Sequence, residues 1–171
     1  MNINIIGGSG TGKSFIAEKM KNLYNIPHYD LDNIFWDNTA ISYGVKMPIE
    51  KRTGLLNKII ETDNWILEGV YYKWLINSFS SCDFIFIIKS SQIICNIRII
   101  KRFLKRKFGI QKGKKETIKS LIDLLKWTKN YQENEIPIII NYLNEYRNKI
   151  IVVKNPNSII EHINNRIKTL E

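Results

Sequence analysis

Apolar positions in this chain fall alternately into short runs and helical stripes. Asn2 to Ile6 is a run too short for a helix and reads as a buried strand, with Phe15, Ile16, Met20 and Leu23 following at helical spacing. Asn25-Ile-Pro-His28 leads into a second short strand, Tyr29 to Asp32, that ends in acidic residues, and Thr39 to Pro48 is irregular and polar. A helix from about Glu50 to Thr62 carries Leu55, Leu56, Ile59 and Ile60; Trp65 to Leu67 is a third strand running into Glu68-Gly69. Phe84 to Ile88 is a fourth strand. The long helix after it places Ile93, Ile97, Ile100 and Leu104 on one stripe, with Ser90 or Ser91 as N-cap.

Two further helices, about Glu116 to Lys129 and Pro137 to Asn148, precede a fifth strand, Ile150 to Val153. Ser158-Ile-Ile-Glu161 is a capping box opening a last helix with Ile159, Ile163, Ile167 and Leu170. Strands and helices alternate throughout. That order predicts an α/β fold, a parallel sheet of five strands covered on both faces, with ligands at the carboxyl ends of the strands.

Composition narrows this picture only in part. The chain has 171 residues, 44% of them apolar, which suits one domain with a real core spanning residues 1–171. Its longest apolar runs, Phe84 to Ile88 and Ile136 to Ile140, are far below a membrane span, and the N-terminus has no signal-peptide pattern. Cys82 and Cys95 make no metal or redox spacing, so the expectation is a cytoplasmic protein with inert thiols. It is expected to be a monomer or a weak homodimer.

The net charge is +10. A/T-rich codon usage, visible in the many Ile, Asn and Lys residues, is one source of such an excess. It does not explain position, because Arg98 to Lys115 carries nine cations and no acid. An anionic partner, nucleotide or nucleic acid, is the other source.

The chemistry is carried by Gly7, Gly8, Ser9, Gly10, Thr11, Gly12, Lys13 and Ser14, a complete G-x-x-x-x-G-K-[ST] loop between strand and helix. At average residue usage the pattern arises by chance at roughly one position in 30,000. Its glycines turn backbone N–H groups toward phosphate oxygens, and the helix N-terminus adds partial positive charge. Lys13 is placed to reach the β- and γ-phosphates of ATP, and the Ser14 hydroxyl to ligate Mg²⁺.

Three carboxylates fall at strand ends: Asp30 and Asp32 after the second, Glu68 after the third. Such groups hold Mg²⁺, directly or through water, or position an acceptor. Gly69 beside Glu68 would let a ligand approach the backbone closely. Trp36, just beyond the aspartates, is the tryptophan best placed to wall an acceptor pocket; Trp65, Trp74 and Trp127 read as core or pocket wall. Arg98 and Arg102, four apart, share a helix face and suit a clamp on a transferring phosphoryl group. The basic segment near 105–116, with Gly109, is a candidate lid. His28 and His162 have no metal partner at useful spacing and read as structural.

The succession Ile-Ile-Gly-Gly-Ser-Gly-Thr-Gly-Lys-Ser, Tyr29-Asp-Leu-Asp-Asn-Ile-Phe-Trp36 and Trp65-Ile-Leu-Glu-Gly69 resembles the adenylate-kinase-like DNA topology modulation proteins. The resemblance is good in the first half, extends through Arg98 and Arg102, and weakens in the lid. It implies the P-loop NTPase fold of nucleoside monophosphate kinases, three-layered, with sheet order 2-3-1-4-5 and a small lid. It also implies that Arg98 and Arg102 contact the nucleotide and the transferred phosphate, with Glu68 near Mg²⁺. Where adenylate kinases have Gly-Phe-Pro-Arg after that acidic residue, this chain has Gly69-Val-Tyr-Tyr-Lys73, without the arginine that grips an acceptor phosphate. Tyr-Asp-Leu-Asp is also similar to shikimate and gluconate kinases, which phosphorylate hydroxyls.

The expectation is an ATP- and Mg²⁺-dependent kinase of a small molecule, nucleotides included, with Asp32 orienting the acceptor. Its rivals are a nucleotide-gated DNA-binding protein, for which the basic run speaks, and a slow P-loop regulator of a protein partner.

Overall fold

Five parallel strands, β1 (Asn2–Gly7), β2 (His28–Asp30), β3 (Trp65–Gly69), β4 (Phe84–Ile88) and β5 (Ile150–Val153), form one sheet in the order β2-β3-β1-β4-β5. The structure is a computed structural model; it describes residues 1–40, 42, 44–110 and 117–170, except the side chains of residues 169 and 170. Both sheet faces are covered, so the strands are apolar on both sides. Ile3, Ile5, Phe86 and Ile88 pack with Ile16, Met20, Ile159 and Ile163 on one face. On the other, Ile6, Leu67, Ile85 and Ile87 meet Phe79, Ile136 and Ile139. This is the expected three-layer α/β fold with sheet order 2-3-1-4-5.

The helices are α1 (Lys13–Tyr24), α2 (Asp32–Phe35), α3 (Ile49–Ile60), α4 (Ile76–Ser81), α5 (Gln92–Lys107), α6 (Ile118–Asn130), α7 (Ile136–Tyr142) and α8 (Ser158–Leu170). The single turns α2 and α4 carry too few residues to show a period. Asp32 opens α2 rather than ending β2. The two helices expected between residues 116 and 148 are one nearly continuous path. A π-turn, Tyr131–Glu135, joins α6 to α7, with the Ile136 N–H bonded to the Tyr131 carbonyl. Pro137 lacks an N–H, which favours a local change of hydrogen-bond register there. Asn144–Lys149 is a 3-10 segment, not a continuation of α7.

Two caps differ from expectation. Ser91 precedes α5 but its side chain caps nothing, and the Ser90 hydroxyl donates to the Lys154 carbonyl. Ser158 is the first residue of α8 rather than the residue before it, and its hydroxyl donates to the Asn155 carbonyl. An unanticipated box opens α6, where Thr117 and Ser120 exchange side-chain and backbone hydrogen bonds.

The largest correction concerns α5. Its buried line is Cys95, Ile99 and Phe103, whereas Ile93 is 70% exposed, Ile97 55%, Ile100 40% and Leu104 43%. The segment near 105–116 expected as a lid overlaps α5 at its start. Residues 105–107 are the last turn of α5, Phe108 to Ile110 form a turn, and residues 111–116 lie outside the described residues. Among the described residues no helix is long and apolar enough to cross a membrane.

Candidate active site

Strand register gathers the chemistry at one edge. Gly7 pairs with Ile88, Ile6 with Gly69, and Asp30 with Glu68, so the carboxyl ends of β1, β2 and β3 lie side by side. The loop after β1 depends on two left-handed glycines, Gly10 (φ 75°) and Gly12 (φ 97°), and Gly12 is the residue from which α1 starts. A Cβ on Gly10 would stand 2.7 Å from the Cys95 carbonyl oxygen. The first N–H groups of α1, from Lys13 onward, have no partner within the helix and face outward from its start.

Lys13, Ser14 and Glu68 converge. The Ser14 hydroxyl donates to Glu68 Oε1 at 2.6 Å, and Lys13 Nζ lies 4.0 Å from Glu68 Oε2 while donating to the Gly8 carbonyl at 3.1 Å. Burial pushes the Lys13 ammonium below its usual range, against the opposing pull of Glu68, Asp32 and Asp30. Burial pushes the Glu68 carboxyl up, but His28, Lys13 and Ser14 together hold it below the ordinary carboxylate value. His28, expected to be structural, stands beside Glu68. Its Nε2 faces Glu68 Oε1 at 3.7 Å, an ion-pair distance too long for a hydrogen bond, and its Nδ1 faces Glu18 at 3.5 Å.

The aspartates stand opposite the loop. The Asp32 N–H donates to Asp30 Oδ1 at 2.9 Å, and the Tyr71 hydroxyl donates to Asp32 Oδ1 at 2.6 Å. Burial, then the negative charge of Glu68, pushes the Asp30 carboxyl up. Burial and the bond to Asp32 push the Tyr71 hydroxyl far up, so it stays a donor. Tyr71 stacks on Phe35 at 4.4 Å between centroids, and Trp36 meets Phe35 edge-on at 4.8 Å. Gly69 lines the site, but its missing side chain is explained by packing. A Cβ there would come within 2.9 Å of Leu31 Cβ, so the space is already taken.

The two arginines have different positions. Arg98 Nη1 donates to the Gly10 and Thr11 carbonyls at 3.1 and 3.0 Å; Arg102 Nη2 donates to Ser9 Oγ at 3.0 Å. Together these groups line a cleft of about 900 Å³, which Val70, Tyr71, Arg106, Leu124 and Trp127 complete. Arg98 also borders a second concavity of about 730 Å³ behind the loop, walled by Ile94, Gln132, Lys154, Asn155 and Pro156. A Cβ on Gly12 would lie 3.1 Å from Pro156 Cγ and 3.3 Å from Arg98 Nη1, so these two side chains flank the loop. Sequence reasoning did not single out Tyr71, Leu124 or Pro156 for this site; each comes from a separate segment with no motif of its own.

Among the described residues no group of three or more His, Cys, Asp or Glu side chains could hold a metal ion. The adjacent oxygens of Ser14 and Glu68 nevertheless suit Mg²⁺, which prefers oxygen ligands and keeps several waters beside substrate phosphates.

No family model matches the chain, and no curated protein matches it. Among solved structures it is similar to a gluconokinase from Sinorhizobium meliloti 1021, with TM-score 0.50 and 16% identity over 90% of this chain and 81% of that one. It is also similar to shikimate kinase from Aquifex aeolicus, with TM-score 0.48 and 18% identity over 99% of this chain and 97% of that one. The likeness to the gluconokinase is one of fold. The resemblance to DNA topology modulation proteins finds no support in these comparisons.

Proposed function

We propose that this protein is an ATP-dependent phosphotransferase that moves the γ-phosphoryl group of Mg-ATP onto a small-molecule acceptor, nucleotides included. The observation carrying this reading is the convergence of Lys13, Ser14 and Glu68 at the P-loop end of a cleft whose opposite wall holds Asp30 and Asp32. The gluconokinase of similar fold is itself a kinase, which agrees with it. In this reading the loop N–H groups and Lys13 bind the phosphates. Arg102, whose guanidinium reaches Ser9, stabilises charge on the transferring group. Arg98 holds the loop carbonyls and, with Pro156, bounds the concavity that takes the nucleoside. Asp32 orients the acceptor. Mg²⁺, held by Ser14 and through water by Glu68, would neutralise phosphate charge. The test is ADP release from Mg-ATP with a panel of nucleoside monophosphates, nucleosides and hydroxylated metabolites. Lys13→Ala should abolish it, and wild-type turnover in that variant would refute the assignment.

A second reading, a nucleotide-dependent DNA-binding protein, is what the resemblance to topology modulation proteins implies. Its support is the exposed Lys101, Lys105 and Lys107 on α5. Salt-dependent binding separates the two, with log affinity falling by roughly 0.9 per neutralised phosphate per decade of salt. Affinity no tighter than roughly 10⁻⁶ M at physiological salt is the non-specific level expected under the kinase reading.

A further inference from the structure

We propose that the acceptor half of the cleft takes an uncharged ring alcohol, a sugar or a nucleoside, rather than an anion. The assignment rests on the kinase reading for its reaction, but on the cleft walls for its chemistry.

Among the described residues, every cation lining the cleft belongs to the P-loop or to α5: Lys13, Arg98, Arg102 and Arg106. Glu68 sits with Lys13 and Ser14 at the P-loop end, and the wall across from them holds Asp30 and Asp32 with the rings of Trp36 and Tyr71. Arg52, Lys46 and, toward Asp37, Lys51 stand nearby, but none of them lines the cleft. Arg52 is buried, its guanidinium 4.9 Å from the Phe35 ring centre and 4.8 Å from that of Trp74. Lys46 lies over Phe35 at 5.8 Å. The charges of Arg52 and Lys46 are directed at aromatic faces.

Past Asp32 and Trp36 a further hollow of about 440 Å³ continues the same character. Asn33, Asp37, Asn38 and Ser42 line it, and no described lining residue is basic. Carboxylates and amides hydrogen-bond hydroxyl groups, and flat rings cover the apolar face of a sugar or base. A phosphate or carboxylate on the acceptor would face the carboxylates of Asp30 and Asp32, with no described cation on that wall.

The fixed geometry of Asp32 completes the case. Its Oδ1 is held by the Tyr71 hydroxyl, while Tyr71 is stacked on Phe35. The second oxygen remains to accept a proton from an acceptor hydroxyl. In the transfer, the hydroxyl oxygen bonds to the γ-phosphorus as the bond from that phosphorus to the bridging oxygen breaks. ADP leaves with those electrons, and the hydroxyl proton passes to Asp32.

Calorimetric titration of the full chain with saturating Mg-ADP tests this, using adenosine against AMP and glucose against gluconate. At least one neutral compound should bind, at least tenfold tighter than its anionic counterpart. Trp36→Ala should weaken that compound at least tenfold with Mg-ADP affinity unchanged. Asp32→Asn, which keeps shape but removes charge, should narrow the neutral-to-anion gap. Equal or tighter binding of the anion, or no binding of either neutral compound, overturns the proposal. Preferred adenosine binding would identify a nucleoside site, and preferred glucose binding a sugar site. Neutral binding without ADP release from Mg-ATP would leave the site standing and refute the kinase reading instead.

Discussion

Replacing Gly10 with alanine should damage the fold and the nucleotide site together, because its φ of 75° and its distance to α5 both exclude a side chain. A left-handed conformation costs a non-glycine residue about 1–2 kcal/mol. The added Cβ would sit 2.7 Å from the Cys95 carbonyl oxygen, a backbone atom that cannot swing aside. Overpacking of that kind costs about 1–3 kcal/mol more. The sum, about 2–5 kcal/mol, corresponds to a fall in Tm of roughly 5–15 °C for a domain of this size. Gly54 is the internal control. It lies in the exposed interior of α3, and among the described residues nothing stands within 4 Å of where its Cβ would be, so Gly54→Ala should gain about 0.5–1 kcal/mol. Thermal unfolding followed by circular dichroism, with and without Mg-ATP, reads both effects. Wild-type protein should gain Tm with Mg-ATP, and Gly10→Ala should lose most of that gain. If Gly10→Ala melts within about 2 °C of wild type and keeps the ATP-dependent shift, the close loop–helix approach is refuted.

Asp32→Asn should leave ATP affinity nearly unchanged but reduce transfer strongly; equal loss of both would make Asp32 a structural cap at the start of α2. Arg102→Ala should lower turnover more than tenfold, whereas neutralising Lys112, Lys114 and Lys115 together should change it by less than that, both read by ADP release. His28 has its pKa raised because Glu68 and Glu18 outweigh the effect of burial. The stabilisation from its proton is therefore complete below the unfolded value of about 6.5 and lost as pH rises through the higher folded value. Urea unfolding without nucleotide or metal should show wild type losing stability relative to His28→Gln as pH rises above 6.5, and a pH-independent difference would contradict the pairing.

The P-loop, the five strands and their carboxyl-end carboxylates were legible because each is a local pattern of a few residues. Strand order came from resemblance rather than periodicity, since all five strands are similarly Ile-rich. What the sequence hid depends on contacts between distant segments. Tyr71 shows no signal as a tyrosine, and its meaning comes from Asp32, 39 positions away. Pro156 matters because it abuts Gly12. Gly69 read as room for a ligand, and the contact that requires glycine there is with Leu31, 38 positions away.

The misassigned stripe of α5 has a physical cause that ties it to the site. Taking 100° per residue, the exposed line through Ile93, Ile97, Ile100 and Leu104 lies roughly 130° around the helix from the buried line through Cys95, Ile99 and Phe103. Arg98 and Arg102 fall on the other side of the buried line, roughly 60–100° from it and away from the exposed one, where they reach the Gly10 and Thr11 carbonyls and Ser9. Rolling the helix to bury its isoleucines would carry those guanidinium groups roughly 10 Å around a helix of ordinary width, off the loop. It would also replace Cys95, whose backbone the loop approaches most closely at Gly10, with a bulkier segment. Fully burying one isoleucine or leucine gains about 1.5–3 kcal/mol, so leaving these three isoleucines and one leucine partly exposed is a real cost. The helix accepts that cost and keeps both arginines on the phosphate loop, which is why hydrophobic period alone chooses the wrong face here.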